Sequence, residues 1–232
     1  VPSNPVTLGG DFTIAKFYAW SYFNGEFCFP GKTLTVTTEC KVGEDAQMRL
    51  TGGTIKAATI QVVSSKDNFS TWRKPVSLTV DGASVEAYAS LEYGTAEQGT
   101  GGAHIAIANG ASWKGAFRIG DNTASHSNNV ISVFGTGSRW EVPSGTTAYV
   151  GTGGASNLFL VAGGGTLLNA GTIGFGYDRG WKHGGGDMNA LRIDNSVLVS
   201  TNGILQTMGS SSNSIEVVNG SKAVVSDITL GL

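Results

Sequence analysis

Charge is scarce in this chain. Only 14% of its 232 residues are charged, and 15 Lys and Arg against 17 Asp and Glu leave a formal net charge of −2. A groove that follows a phosphate backbone, or a face that holds an anionic bilayer, needs concentrated positive charge. The composition therefore excludes nucleic acid as a partner and a polybasic membrane surface. No apolar run approaches the roughly 20 residues that cross a bilayer, so this segment is not expected to insert into a membrane. The chain begins at Val1 with neither an initiator Met nor a secretion signal, which reads as a processed or trimmed product.

Cysteine is limited to Cys28 and Cys40. An oxidising compartment would allow the two to form a disulfide and a reducing one would leave two buried thiols; sequence separation does not decide between them. Catalytic signatures are missing too: there is no H-E-x-x-H, no G-x-S-x-G and no paired C-x-x-C. Gly31, Lys32 and Thr33 resemble the end of a phosphate-binding loop, but the first glycine of that motif would fall on Glu26. His104, His126 and His183 have no metal-ligand spacing and read as surface or turn residues. Neither a metal nor a cofactor is expected.

What the chain has is glycine, 35 residues of it, distributed among alternating β-branched runs. A unit of roughly 25 to 30 residues recurs: residues 105–113 (IAIANGASW), 131–140 (ISVFGTGSRW), 158–168 (LFLVAGGGTLL) and 215–224 (IEVVNGSKAV) each carry an apolar run into a Gly-rich or Asn-rich turn. A short strand ending in glycine follows each turn. Taking Gly110, Gly137 and Gly165 as equivalent places Val85, Trp113, Trp140 and Leu168 on one bulky ladder. An earlier copy, residues 48–62 (MRLTGGTIKAATIQV), aligns with residues 160–174 (LVAGGGTLLNAGTIG), setting Thr54 opposite Thr166. Alternation suits strands with one inward face, and Asn-Gly and Gly-Gly supply the positive φ that corners require. Coils of such strands stack at about 4.8 Å. The expected fold is all-β: a right-handed parallel β-helix, with residues 33–232 as its repeat domain. Trp113 and Trp140 are expected to pack inside it rather than form a sugar-binding platform.

Residues 1–32 do not fit the repeat and hold the densest aromatic cluster, including Phe12, Phe17, Tyr18, Trp20, Tyr22 and Phe23. They read as a non-repeating N-terminal cap over an otherwise open sheet edge, or as an assembly segment that adds to a neighbouring molecule. The most chemically varied stretch is 177–187 (YDRGWKHGGGD). Asp178, Arg179, Trp181, Lys182, His183 and Asp187 form a candidate ligand-binding loop, in which cations would hold carboxylates, Trp181 would stack on a sugar and the aspartates would supply acid and base.

Residues 133–140 (VFGTGSRW), and more loosely 107–113, follow a V-x-G-x-G-S-x-W style. It resembles the repeats of bacterial autotransporter passengers and adhesins over roughly residues 33–232. The resemblance implies an extracellular or cell-surface location and a role in adhesion or structural display. The expected function is that of a non-enzymatic structural or adhesive β-solenoid, able to assemble end to end through its N-terminal segment. Its partners would be further copies of itself, or host or matrix glycans or proteins. The alternatives are a polysaccharide lyase or glycosidase working in a groove of the helix, and a carbohydrate-binding module.

Overall fold

The computed structural model describes residues 5–20, 23–43, 45–63, 76–91, 102–120, 128–152, 154–176, 187–207 and 212–230. Every regular element among them is a β-strand, and the strands stack as a parallel β-solenoid. Each pairing is parallel and joins one coil to the next. A nine-stranded sheet forms the first face, running from Val6–Thr7 through Asn24–Cys28, Gln47–Thr51, Ser77–Asp81, His104–Ala108, Val130–Phe134, Leu158–Ala162 and Ala190–Asp194 to Ser214–Val218. A twelve-stranded sheet folds about a corner into a second and a third face. Toward the ends of the stack one long strand turns that corner, as in Phe12–Ala19, Thr33–Gly43 and Lys222–Thr229, and the register shifts there. In the middle coils the strand breaks in two, as in Arg139–Val142 followed by Thr147–Val150.

The core is the inside of the stack. Ile105, Ile107, Ile131, Val133, Phe159, Val161, Leu191 and Ile193 alternate inward along the first face and are fully buried. Trp113 and Trp140 lie one above the other with centroids 4.8 Å apart and planes 6° apart, both wholly buried, and their indole N–H groups donate to Ala87 O at 2.8 Å and Gly115 O at 2.9 Å. They are core, as the sequence indicated, and offer no ring to a sugar.

The ladder above them corrects one alignment. Trp140 faces Leu167, not Leu168. The turn glycines with positive φ are Gly110 (78°), Gly137 (84°) and Gly164 (93°), so Gly164 rather than Gly165 is the equivalent corner. A slip of one residue turns a strand inside out: Leu167 is fully buried, whereas Leu168 lies on the outer side. The alignment of Thr54 with Thr166 holds, through Ser84, Ser112 and Arg139.

Of the segment set apart as residues 1–32, residues 6–19 form the first described coil of the stack, and Asn24–Cys28 is already the first-face strand of the next. Val6 pairs with Phe27, and Phe12 through Ala19 pair along Leu34 to Val42, so residues 6–19 continue all three faces although their sequence does not repeat. Cys28 and Cys40 are free thiols, and the disulfide does not form. Cys28 belongs to the first face, between Thr7 and Thr51, and Cys40 to the third, between Phe17 and Ile60. Burial pushes the Cys40 thiol up to about 12, which keeps it protonated and unreactive.

The corner leading into the first face is held by a stack of asparagines. Asn129, Asn157 and Asn189 are buried, and each follows a residue in the left-handed region: Asn128, Ser156 and Met188. Asn157 Oδ1 accepts from both the backbone N–H and the side-chain amide of Asn129 at 3.0 Å, Asn189 does the same for Asn157, and Asn213 repeats it for Asn189 at 2.9 and 3.3 Å. A buried amide is costly unless paired, and here each coil satisfies the next.

Candidate functional site: an aromatic cleft on the first coils

Alternation along Phe12–Ala19 divides the aromatic segment between the core and solvent. Phe17 points inward and meets Phe27 edge-on at 5.2 Å, and Phe27 in turn meets Phe29 at 5.6 Å. Phe23 packs against the core and lies over Gly25, where a Cβ would come within 3.1 Å of its ring. Tyr18 and Trp20 project outward from the third face, 46% and 40% exposed. Tyr22 lies outside the described residues. Of the six aromatics singled out by sequence, then, Tyr18 and Trp20 converge on one surface, Phe17 and Phe23 support the coil, and Phe12 lies on the end of the stack, 46% exposed.

The next coil completes the surface. In register, Glu39 stands beside Lys16 and Lys41 beside Tyr18. Tyr18, Trp20, Glu39 and Lys41 line an open cleft of about 340 Å³ with mostly carbon walls. Trp20 leans over Gly43, where a Cβ would approach its ring to 2.8 Å, so only glycine leaves the indole this position. The Tyr18 hydroxyl donates to the Glu39 carboxylate, and that bond holds the phenol above its ordinary range. Lys41 Nζ lies 5.1 Å from the Trp20 centroid and Lys16 Nζ 6.0 Å from that of Tyr18, both within cation–π reach. The cleft thus presents two aromatic faces bordered by one carboxylate and two ammonium groups. Such a surface takes a flat, amphipathic group: C–H bonds against the rings, hydroxyls or charge toward the border.

Other polar clusters are internally satisfied. On the first face Arg49 bridges two carboxylates: its Nε donates to Asp81 Oδ2 at 2.9 Å, and it lies 3.5 Å from Glu26. Burial works against the Asp81 carboxylate, yet the bonds donated by Asn109 and Arg49 outweigh it and hold the group below the usual range. A carboxylate held ionised in this way is a poor general acid. Arg192 repeats the arrangement near the other end, 3.1 Å from Asp194 and 3.3 Å from Glu216. Among the described residues no group of three His, Cys, Asp or Glu could hold a metal ion, and no helix is long and apolar enough to cross a membrane.

Of the predicted loop, Asp178, Arg179, Trp181, Lys182 and His183 lie outside the described residues. Asp187 is described, and its carbonyl accepts from Ser156 N at 3.0 Å in the turn before the asparagine corner. Sequence reading missed Glu39 and Lys41. The signal is the alternation E-C-K at residues 39–41 with Cys40 inward, legible only once Phe17 is placed on Cys40. Family models, curated proteins and solved structures give no match to this chain.

Proposed function

We propose that this chain is a non-enzymatic, extracellular structural and adhesive β-solenoid, in which the stacked coils form a stiff rod and the Tyr18–Trp20 cleft on its first coils is a contact surface. The observation that carries this reading is the exposure of two large aromatics in a cleft bordered by Glu39 and Lys41. Large aromatics are ordinarily spent on burial, as Trp113 and Trp140 are here, and exposed Trp and Tyr concentrate at contact sites. A hexopyranose of a host or matrix glycan fits this chemistry, its apolar face on Trp20 and its hydroxyls or carboxylate toward Glu39 and Lys41.

Binding of the purified chain to immobilised glycans and matrix proteins tests the reading. We expect a glycan ligand whose affinity falls about tenfold or more in Tyr18→Ala/Trp20→Ala, with the circular dichroism of the variant unchanged. Binding that is indifferent to the double variant would remove the cleft from the account. Cleavage of a bound polysaccharide by the wild-type chain would replace the adhesive reading with an enzymatic one.

A further inference from the structure

The two end coils of the solenoid are built in step with each other. Along the first face the register runs from Val6 through Phe27, Leu50, Val80, Ile107, Val133, Val161 and Ile193 to Val217. Along the second it runs from Phe12 through Leu34, Ile55, Val85, Trp113, Trp140, Leu167 and Leu198 to Ala223. Along the third it links Tyr18 to Thr229 through Lys41, Gln61, Ser90, Arg118, Tyr149, Gly174 and Gln206. The offset is the same on all three faces (217 − 6, 223 − 12 and 229 − 18 each give 211). Both corners therefore have equal length in the two end coils, including the single residue at the bend between Ile14 and Lys16 and between Val225 and Asp227.

Laid one on the other, the two coils match in side chain as well. Inward positions pair Val6 with Val217, Phe12 with Ala223, and Phe17 with Ile228, each pair apolar. Val6 (48%), Phe12 (46%), Val217 (44%) and Ile228 (52%) are exposed although they point along the core. Outward positions pair Asp11 with Lys222 and Lys16 with Asp227. Among the described residues, charged residues that face each other in register carry opposite signs: Lys16 and Glu39, Glu26 and Arg49, Lys56 and Glu86, Glu86 and Lys114, Lys114 and Glu141, Arg192 and Glu216. Lys56–Glu86 and Lys114–Glu141 close to 3.2 and 3.3 Å. The two end coils obey the rule that marks neighbouring coils within one chain.

We infer that a second copy of this chain stacks head to tail on the first, its Val6–Ala19 coil laid on the Val217–Leu230 coil, continuing all three ladders at the ordinary inter-coil spacing. The interface is heterologous, and repetition along the axis gives an open filament rather than a closed ring. The proposal rests on the structural half of the reading above; of the groups around the cleft it uses the charge of Lys16 at the border and neither aromatic ring.

Charge reversal by halves tests it on the 232-residue chain, by sedimentation velocity over a concentration series and by electron microscopy. The wild type is expected to form end-to-end chains that shorten as salt is raised. A tail variant, Lys222→Glu/Asp227→Lys, and a head variant, Asp11→Lys/Lys16→Glu, each place like charges at the junction and should weaken association about tenfold or more. Each variant retains one wild-type end, so a 1:1 mixture restores both kinds of junction and should reassemble in alternation. A wild type that stays monomeric at every concentration overturns the proposal. So does a mixture of two folded variants that fails to reassemble, and so does association that persists in either variant alone. Should the head variant misfold because Asp11 no longer accepts the Thr33 N–H, Ile228→Asp in the tail provides the second test: loss of assembly supports the stack and retention overturns it. Filaments that survive Tyr18→Ala/Trp20→Ala separate this surface from the cleft.

Discussion

Among the described residues His104 is the only histidine, and burial holds its imidazole below the ordinary pKa, in the neutral form that shares a hydrogen with Ser132 Oγ at 2.8 Å. The unfolded chain takes up a proton near pH 6.5 and folded His104 resists it. Its contribution is therefore intact above that pH and declines as pH falls through the window below. Urea midpoints at pH 7.5 and 5.5 should separate more in the wild type than in His104→Gln, and an equal separation would show that His104 does not carry the dependence. The same residue-by-residue view explains what sequence conceals. Each of Asn129, Asn157 and Asn189 stands two positions before the first buried apolar residue of a first-face strand, a spacing that is plainly visible. What single residues do not announce is that these polar side chains are interior, because an asparagine at a turn is read as solvated unless the coil above is known to supply its partner.

At the level of the element, corners decide register. Gly53 has φ +80°, and a Cβ there would lie 2.1 Å from Phe29 O and 2.5 Å from Lys32 O, both backbone atoms that cannot swing aside. Gly53→Ala should cost at least about 2 kcal/mol, read as a lowered midpoint in chemical denaturation; a neutral result would mean that the corner shifts freely. Corners are also where the sequence reading succeeded and failed. Gly-Gly-Thr at 52–54 against 164–166 gave the true register, and three glycines in a row at 163–165 allowed the one-residue slip that exchanged Leu167 for Leu168. The strands themselves were legible because inward alternation is a period of two over many coils. The first coil was not, since Tyr18 stands where the next coils carry Lys41, Gln61 and Ser90, and Phe17 where they carry Cys40, Ile60 and Ala89, so its membership shows only in pairings such as Phe17 with Cys40.

A solenoid of nearest-neighbour contacts behaves as a sum of coils and interfaces. Excising residues 139–165, one step of the Trp113 to Trp140 to Leu167 ladder, joins Ser138 to Thr166 and leaves every ladder position occupied. That shortened chain should fold with the same strand signal in circular dichroism and a lower denaturation midpoint. Excision of residues 139–152 removes about half a coil, throws the faces out of register, and should leave the chain unfolded. The same independence governs how the molecule answers a pull. Because parallel ladders tie each coil to its neighbours, joined in the later coils by the asparagine bridge, a load applied between the two ends of the chain peels one coil at a time. Each release of about 27 residues converts a rise of about 4.8 Å into about 95 Å of slack, so that a rod of this kind yields by paying out line and keeps the remaining coils intact.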